Sequence, residues 1–219
     1  MTRTLRWTTT ILTAAVTTTM LFAAPASAAG YSAPLRTAVG HLTVATEVRT
    51  GYNRDLFPHW IDVDGDRCNT RYEVLIAEAT TAPSVSSPCT LTGGRWYSWY
   101  DNTSWTNPAD LDIDHYIPLA EAWDSGARSW TTARRQLFAN DLGDTRTLAA
   151  VTDNVNQAKG DQDPATWMPP YTANRCRYIN DWVAVKIRWR LTIDTTERNA
   201  LTSWATSCPN STITVTYAY

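Results

Sequence analysis

Two short stretches decide the fold: Asp112–Pro118, which reads DIDHYIP, and Asn154–Gly160, which reads NVNQAKG and follows about forty residues later. Together they supply an imidazole, carboxylates, amides and an ammonium group. Hydrolysis of a phosphodiester needs a base that activates water and a cation that holds the charge building on the phosphate. Carboxylate and amide oxygens suit Mg²⁺ or Mn²⁺, and an imidazole titrates near neutrality. The two stretches therefore predict a metal-dependent nuclease.

The first 28 residues have the pattern of an export signal. Arg3 and Arg6 give a positive start, Ile11–Ala24 is apolar but interrupted by threonines, and Ala26–Ala28 is a small-x-small cleavage pattern. The apolar run is too short and too rich in threonine to span a bilayer. We therefore expect residues 1–28 to be removed and the mature protein to be secreted, extracellular and free of membrane attachment.

Residues 29–219 are enough for one domain with its own core, and we expect a single domain with an N-terminal helical extension. The four cysteines form an even set, which suits disulfides in an exported protein. Three pairings are possible, and proximity along the chain favours Cys68–Cys89 and Cys176–Cys208. A cysteine-based zinc site is the alternative, and the lack of any C-x-x-C spacing disfavours it.

The charge balance limits how such a protein could bind nucleic acid. The chain has 19 Lys+Arg and 21 Asp+Glu, and loss of Arg3 and Arg6 with the signal would move its net charge from −2 to about −4. Tight binding of duplex DNA usually relies on a basic surface, because neutralising phosphates supplies most non-specific affinity. An acidic nuclease would therefore need its arginines clustered locally, where they can make bidentate phosphate contacts.

Hydrophobic spacing predicts helices on both sides of the two stretches. The predicted helices are Pro34–Ala45, Tyr72–Ala79, Leu119–Trp123 and Ser129–Leu142. Near the C-terminus four residues share one helical face: Tyr178, Trp182, Val185 and Trp189. Asp194 and Glu197 resemble a capping box at the start of a final helix. The pair Gly93-Gly94, ahead of a run of aromatic residues, predicts the turn of a hairpin.

Strand patterns lie at the first deciding stretch and just before the second. Leu111–Ile117 alternates, which places Asp114 on one face of a strand and His115 on the other. Thr147–Val151 is a short β-type run, and a helix or turn begins at Asn154. The order is therefore a strand that carries Asp-His, a connection, a second strand and the start of a helix.

That order is the ββα-metal arrangement, and here the chain resembles the HNH endonucleases, most closely the secreted bacterial proteins related to the C-terminal nuclease domain of GmrSD-type restriction enzymes. Asp114–Leu119 looks like the family's D-H-x-x-P-L element, and Asn156–Asp161 looks like its N-x-x-K-G-D element. The likeness extends over nearly all of the mature chain, through the segments Phe57–Trp60, Cys68–Arg71, Ala120–Trp123, Phe138–Leu142 and Asp163–Trp167.

The resemblance implies a role for each matching residue. His115 becomes the general base, and Asp114 and Asn156 become the metal ligands. Lys159 becomes a phosphate contact, or else an anchor that holds Asn156 in place. Arg71 becomes a phosphate-binding arginine. The metal is expected to be Mg²⁺, with Mn²⁺ as a substitute.

One residue departs from the family's pattern, and several alternatives stay open. The middle asparagine of the family should fall near Thr147, so the placement of His115 is in question. Asn154 is an alternative to Asn156, although Asn156 is favoured. His59 is a further, less favoured candidate for the site. The loop that holds Asp62, Asp64 and Asp66 does not match an EF-hand, because its glycine is at the fourth position.

The sequence thus predicts an α+β fold with a ββα-metal core embedded among helices and stapled by disulfides. The expected substrate is DNA, with RNA as a further candidate, and the expected state is a monomer. The alternative function is a non-catalytic secreted module that binds polysaccharide or a cell-surface partner through its tryptophans and its acidic loop. No G-x-S-x-G, H-E-x-x-H or P-loop pattern suggests a different hydrolase.

Overall fold

The computed structural model describes residue 1 and residues 29–218, so the expected export signal lies outside the described residues except for Met1. The described chain is a mixed α/β protein. Its helices are α1 (Leu35–His41), α2 (Thr70–Ala77), α3 (Leu119–Asp124), α4 (Thr132–Ala139), α5 (Asp153–Lys159), α6 (Arg175–Trp189) and α7 (Thr195–Ser207). Its strands are β1 (Gly30–Pro34), β2 (Ser84–Ser86), β3 (Thr90–Thr92), β4 (Trp96–Ser98), β5 (Thr103–Trp105), β6 (Leu111–His115), β7 (Leu148–Thr152) and β8 (Thr212–Thr216).

The strands form four antiparallel pairs: β1 with β8, β2 with β3, β4 with β5, and β6 with β7. The pair β6–β7 contains the Asp-His part of the first deciding stretch, with Asp114 opposite Ala149 and His115 opposite Leu148. The helix α5 begins at Asp153, directly after β7. The helices α3 and α4 lie in the connection between the two strands.

The core is centred on α6. The predicted stripe is confirmed, since Tyr178, Trp182, Val185 and Trp189 are all at most 2% exposed. A second, smaller cluster packs α2 against the β6–β7 pair through Leu75, Trp96, Leu111, Ile113 and Leu148, among other residues. The β6–β7 pair is therefore packed against α2, and this packing supports the strand that carries Asp114 and His115.

Two disulfide bonds cross-link the chain. Cys68 is bonded to Cys89, and Cys176 is bonded to Cys208. Of the three possible pairings, the one favoured by proximity is thus the one formed. The first bond ties the start of α2 to the β2–β3 hairpin, and the second ties α6 to the end of α7. Within residues 29–218 no helix combines the length and the apolar character that crossing a membrane requires.

Three local predictions differ from the structure. The helix predicted at Pro34–Ala45 ends at His41, and the residues before it form β1, whose partner β8 no pattern indicated. The glycine pair is not a hairpin turn, because β3 and β4 on its two sides pair with different strands. The helix expected from Ser129 begins after Thr131, whose hydroxyl caps it by accepting the Arg134 N–H.

Candidate functional site

The sequence-predicted residues Asp114, His115 and Asn156 meet in one cleft. The cleft has a volume of about 180 Å³ and lies where the end of β6 meets α5. Its wall also includes Arg54, Gln157 and Asp161, all of which are exposed. Pro118, in the turn that follows β6, also lines the cleft.

His115 is 6% exposed, and its ring is held by one hydrogen bond, from Nε2 to the carbonyl oxygen of Ala139 at 2.9 Å. A carbonyl can only accept, so Nε2 carries the proton and the neutral ring keeps a lone pair on Nδ1. No described group hydrogen-bonds to Nδ1. Burial lowers the pKa of His115 to about 3; the hydrogen bond to Ala139 opposes this shift, and the charges of Arg54 and Lys159 add to it. The ring is therefore neutral at ordinary pH.

Aromatic rings from one loop flank His115. The Trp60 ring lies 5.2 Å from it and the His59 ring lies 6.3 Å from it, measured between ring centres. Trp60 has a backbone φ of +56°, a left-handed conformation that is uncommon for a tryptophan. The structure thus brings His59 beside the site, together with a neighbour, Trp60, to which the sequence assigned no role.

Asp114 is buried and heavily bonded. Both of its oxygens accept from the Lys159 ammonium, at 2.8 and 2.7 Å, and its Oδ2 also accepts from the Tyr100 hydroxyl at 2.5 Å. The third Lys159 proton goes to the His115 carbonyl oxygen at 3.0 Å. Burial raises the pKa of Asp114 and lowers the pKa of Lys159, and the attraction between them opposes both shifts. Lys159 is fully buried with all three donors used, so it acts here as an anchor for Asp114 and the His115 backbone.

Asn156 lines the cleft, and its hydrogen-bond partner Asp112 lies next to the cleft lining without being part of it. The Asn156 amide nitrogen donates to Asp112 Oδ2 at 3.3 Å, which leaves the Asn156 oxygen without a described partner. Both side chains are partly exposed. Asn154 is absent from the residues that line the cleft, which leaves Asn156 as the asparagine at the site.

The metal ion that the resemblance implies needs oxygens that are not already saturated. An ionised carboxylate offers about four lone pairs, and Asp114 uses three of them, so its Oδ1 can still bind a cation. The Asn156 oxygen and the Asp112 Oδ1 have no hydrogen-bond partner among the described residues. An all-oxygen set of this kind fits Mg²⁺ or Mn²⁺.

Arg71, the predicted phosphate contact, does not line the cleft. Its guanidinium donates to the carbonyl oxygens of Leu111 at 2.7 Å and Pro108 at 3.4 Å. Arg71 thus joins α2 to the start of β6. Arg54, which the sequence did not single out, is the arginine that reaches the cleft, and its position in the segment just before Phe57–Trp60 was the available signal.

The loop that holds the His115 ring is fixed by a buried asparagine. Asn140 follows Ala139 directly, and its amide nitrogen donates to the Pro58 and Gln136 carbonyl oxygens at 2.8 Å. Its oxygen accepts from the Ile61 N–H and the Thr70 hydroxyl. Thr147, at the place of the family's middle asparagine, bonds the loop from the other end through its hydroxyl, to the carbonyl oxygens of Asp141 and Asp144.

The acidic loop is stabilised by its own backbone. Asp62 accepts from the N–H groups of Gly65 and Arg67, and Asp66 accepts from that of Cys68. The three aspartates are exposed, and none of them lines the cleft. These contacts are those of a solvated turn.

Two of the comparisons with known proteins found a match. The sequence profile of the family described as "GmrSD restriction endonucleases, C-terminal domain" matches residues 66–204, which include all the cleft residues except Arg54. An "Uncharacterized secreted protein" of the fungus Arthroderma benhamiae is 51% identical over 158 residues, which are 72% of this chain and 76% of that protein. No solved structure matches the chain.

Proposed function

The chain belongs to the family of GmrSD restriction endonuclease C-terminal domains, and on that premise we propose that it is a metal-dependent endonuclease that hydrolyses phosphodiester bonds in DNA. RNA is a second substrate to test. The order β6, β7, α5 supports a ββα-metal core for the single domain at residues 29–219. The two disulfides and the relative named as secreted support an extracellular protein.

The observation that carries this proposal is the state of His115. Its tautomer is set by the Ala139 carbonyl, its ring is kept neutral by burial, and it lies in the same cleft as Asp114 and Asn156. The Nδ1 lone pair can take a proton from a water aimed at phosphorus. The positive charge on the protonated ring is then transient and is lost when the ring releases its proton to solvent.

Asp114 and Asn156 would hold a Mg²⁺-type ion, with Asp112 beside them, and such an ion supplies positive charge to the phosphate as the reaction proceeds. The chain itself contributes rigidity. Lys159 fixes the Asp114 carboxylate and the backbone of the base, and Arg71 fixes the start of the same strand. We assign the phosphate contact to Arg54, whose exposed guanidinium can bind two phosphate oxygens. The products would carry 5′-phosphate ends.

The binding-module alternative has less support. The ten tryptophans among the described residues are buried or only partly exposed, which limits the surface they offer to a sugar or a partner. The acidic loop is engaged with its own backbone.

A plasmid-nicking assay on purified residues 29–219 tests the proposal. We expect nicked and then linear plasmid in Mg²⁺ or Mn²⁺, and no cleavage in EDTA. The control is a histidine variant outside the site, His41→Ala, because His41 is exposed on α1 and does not line the cleft. The His41→Ala protein should cleave like the unmodified protein. If plasmid and RNA both stay intact in either metal, the nuclease assignment is wrong.

A further inference from the structure

A second group of carboxylates lies outside the cleft. Glu47 comes from the loop after α1, and Glu121 and Asp124 are three residues apart on one face of α3. One oxygen from each of the three lies within 4.8 Å of the other two. Glu121 is 3% exposed, Asp124 is 4% exposed and Glu47 is partly exposed, whereas the loop that holds Asp62, Asp64 and Asp66 is exposed.

The protein satisfies only some oxygens of this group: Glu121 Oε1 accepts from Lys186 and Ser125, and Asp124 Oδ2 accepts from Arg49. Glu47 Oε1 and Asp124 Oδ1 are both buried atoms with no hydrogen-bond partner among the described residues. Buried polar atoms are nearly always hydrogen-bonded, and an unpaired carboxylate oxygen away from water costs more than a neutral group. Two such oxygens in a single cluster point to a partner that the protein itself does not provide.

The charges near the group leave an excess of negative charge. Lys186 donates to Glu121 at 2.5 Å and to Glu197 at 3.1 Å, and Arg49 donates to Asp124 at 2.7 Å. Two cations therefore face the three carboxylates of Glu47, Glu121 and Asp124, and one of these cations, Lys186, is shared with Glu197.

We propose that Glu47, Glu121 and Asp124 bind a Ca²⁺-type divalent cation. The donors are all oxygens, as hard cations require, and Ca²⁺ accepts irregular geometry at about 2.3–2.6 Å from each ligand. Oxygens on opposite sides of such an ion are about 5 Å apart, so a spread of up to 4.8 Å suits it. The ion's two charges would balance the excess, and it would supply the missing partner for Glu47 Oε1 and Asp124 Oδ1.

A cation at this position would join the loop after α1 to the helix that follows the DHYIP stretch. The group also connects to the cleft through Arg49, which bonds Asp124 on one side and Asp161, at 3.2 Å, on the other. The ion is therefore expected to stabilise the fold around α3. It is distinct from any ion at Asp114 and Asn156.

The test is calorimetric binding of Ca²⁺ to residues 29–219 after treatment with EGTA, with thermal unfolding as a second readout. We expect one Ca²⁺ site, and we expect Ca²⁺ to raise the Tm. Glu47→Gln should lower the Ca²⁺ affinity at least tenfold and reduce the rise in Tm. Glu47 is only partly buried, so this isosteric change should leave the protein folded. The matched control is Asp62→Asn in the exposed acidic loop, which should bind Ca²⁺ like the unmodified protein.

A second control separates the two ion sites. Asn156→Ala should keep the Ca²⁺ site, because Asn156 is not among its ligands. Absence of Ca²⁺ binding to the unmodified protein would overturn the proposal. So would binding that survives Glu47→Gln, or that disappears in Asp62→Asn or Asn156→Ala.

Discussion

At the scale of single residues, the site depends on one histidine whose chemistry is set by its surroundings. Burial and a carbonyl acceptor keep the His115 ring neutral, with the lone pair on Nδ1. A buried lysine, meanwhile, holds the neighbouring carboxylate in place. From both arrangements we predict changes in the free energy of unfolding, and these predictions do not depend on knowing the substrate.

The first concerns acid. An unfolded histidine binds a proton below a pH of about 6.5, whereas folded His115 does so only below about 3. Between these values the unfolded state binds more protons, so His115 destabilises the folded protein as the pH falls, by at most about 1.4 kcal/mol per pH unit. His115→Gln lacks this effect. The stability advantage of the unmodified protein over His115→Gln should therefore shrink by up to about 3 kcal/mol between pH 7 and pH 4.

Urea unfolding of both proteins at several pH values measures this difference. The other titrating groups are shared by the two proteins and largely cancel. A difference that stays constant from pH 7 to pH 4 would show that His115 is not held neutral by the fold.

The second residue prediction concerns Lys159. Lys159→Met leaves the Asp114 charge buried without its cation, and loss of one partner of a buried pair costs about 3–5 kcal/mol. The double variant Asp114→Asn/Lys159→Met removes the unpaired charge and should recover part of that loss. The measurement is the free energy of unfolding in urea. If Lys159→Met costs less than about 1 kcal/mol and only weakens DNA binding, then Lys159 contacts phosphate and the anchor role is wrong.

At the scale of elements, the β6–β7 pair and α5 could be predicted because the strand alternation and the two motifs are local in the sequence. Other parts of the site depend on contacts across the chain. Tyr100 reaches Asp114 from a loop 14 residues earlier, and Asn140 joins residues up to 82 positions away. Such contacts arise from packing and leave no periodic pattern. Asn140 did lie in a segment of family resemblance, but the sequence gives no reason to separate it from its neighbours there.

The loop after α4 gives a prediction at this scale. Asn140→Ala removes four side-chain hydrogen bonds from the segment that carries the Ala139 carbonyl. We expect a loss of about 2–4 kcal/mol in the free energy of unfolding and a tenfold or greater loss in cleavage rate, because the His115 ring loses its fixed acceptor. The cleavage rate is measured at a temperature where the variant remains folded.

The control is Asn180→Ala on α6, which removes a single side-chain bond to the Cys176 carbonyl. It should cost about 1 kcal/mol or less and leave the cleavage rate unchanged. An Asn140→Ala variant that cleaves at the full rate would show that the loop does not position His115.

At the scale of the whole molecule, contacts distant in sequence complete the fold. The β1–β8 pair joins the two ends of the described chain, with Ser32 bonded to Thr214 across 182 positions. Gly30 is needed there, because a Cβ would lie 2.8 Å from the Val215 carbonyl oxygen. The terminal strands β1 and β8 thus pack together with α1, α6 and α7. A sequence that shows strand patterns only one at a time could not reveal this closure.

The central claim is that His115 is the base in a metal-dependent nuclease, and the most direct test compares two variants in one experiment. Plasmid cleavage and Mg²⁺ affinity are measured for His115→Ala and Asn156→Ala, with circular dichroism to establish that both are folded. His115→Ala should lose about 100-fold or more of the cleavage rate while keeping its Mg²⁺ affinity, and Asn156→Ala should lose Mg²⁺ affinity. Cleavage by His115→Ala at the rate of the unmodified protein would contradict the account.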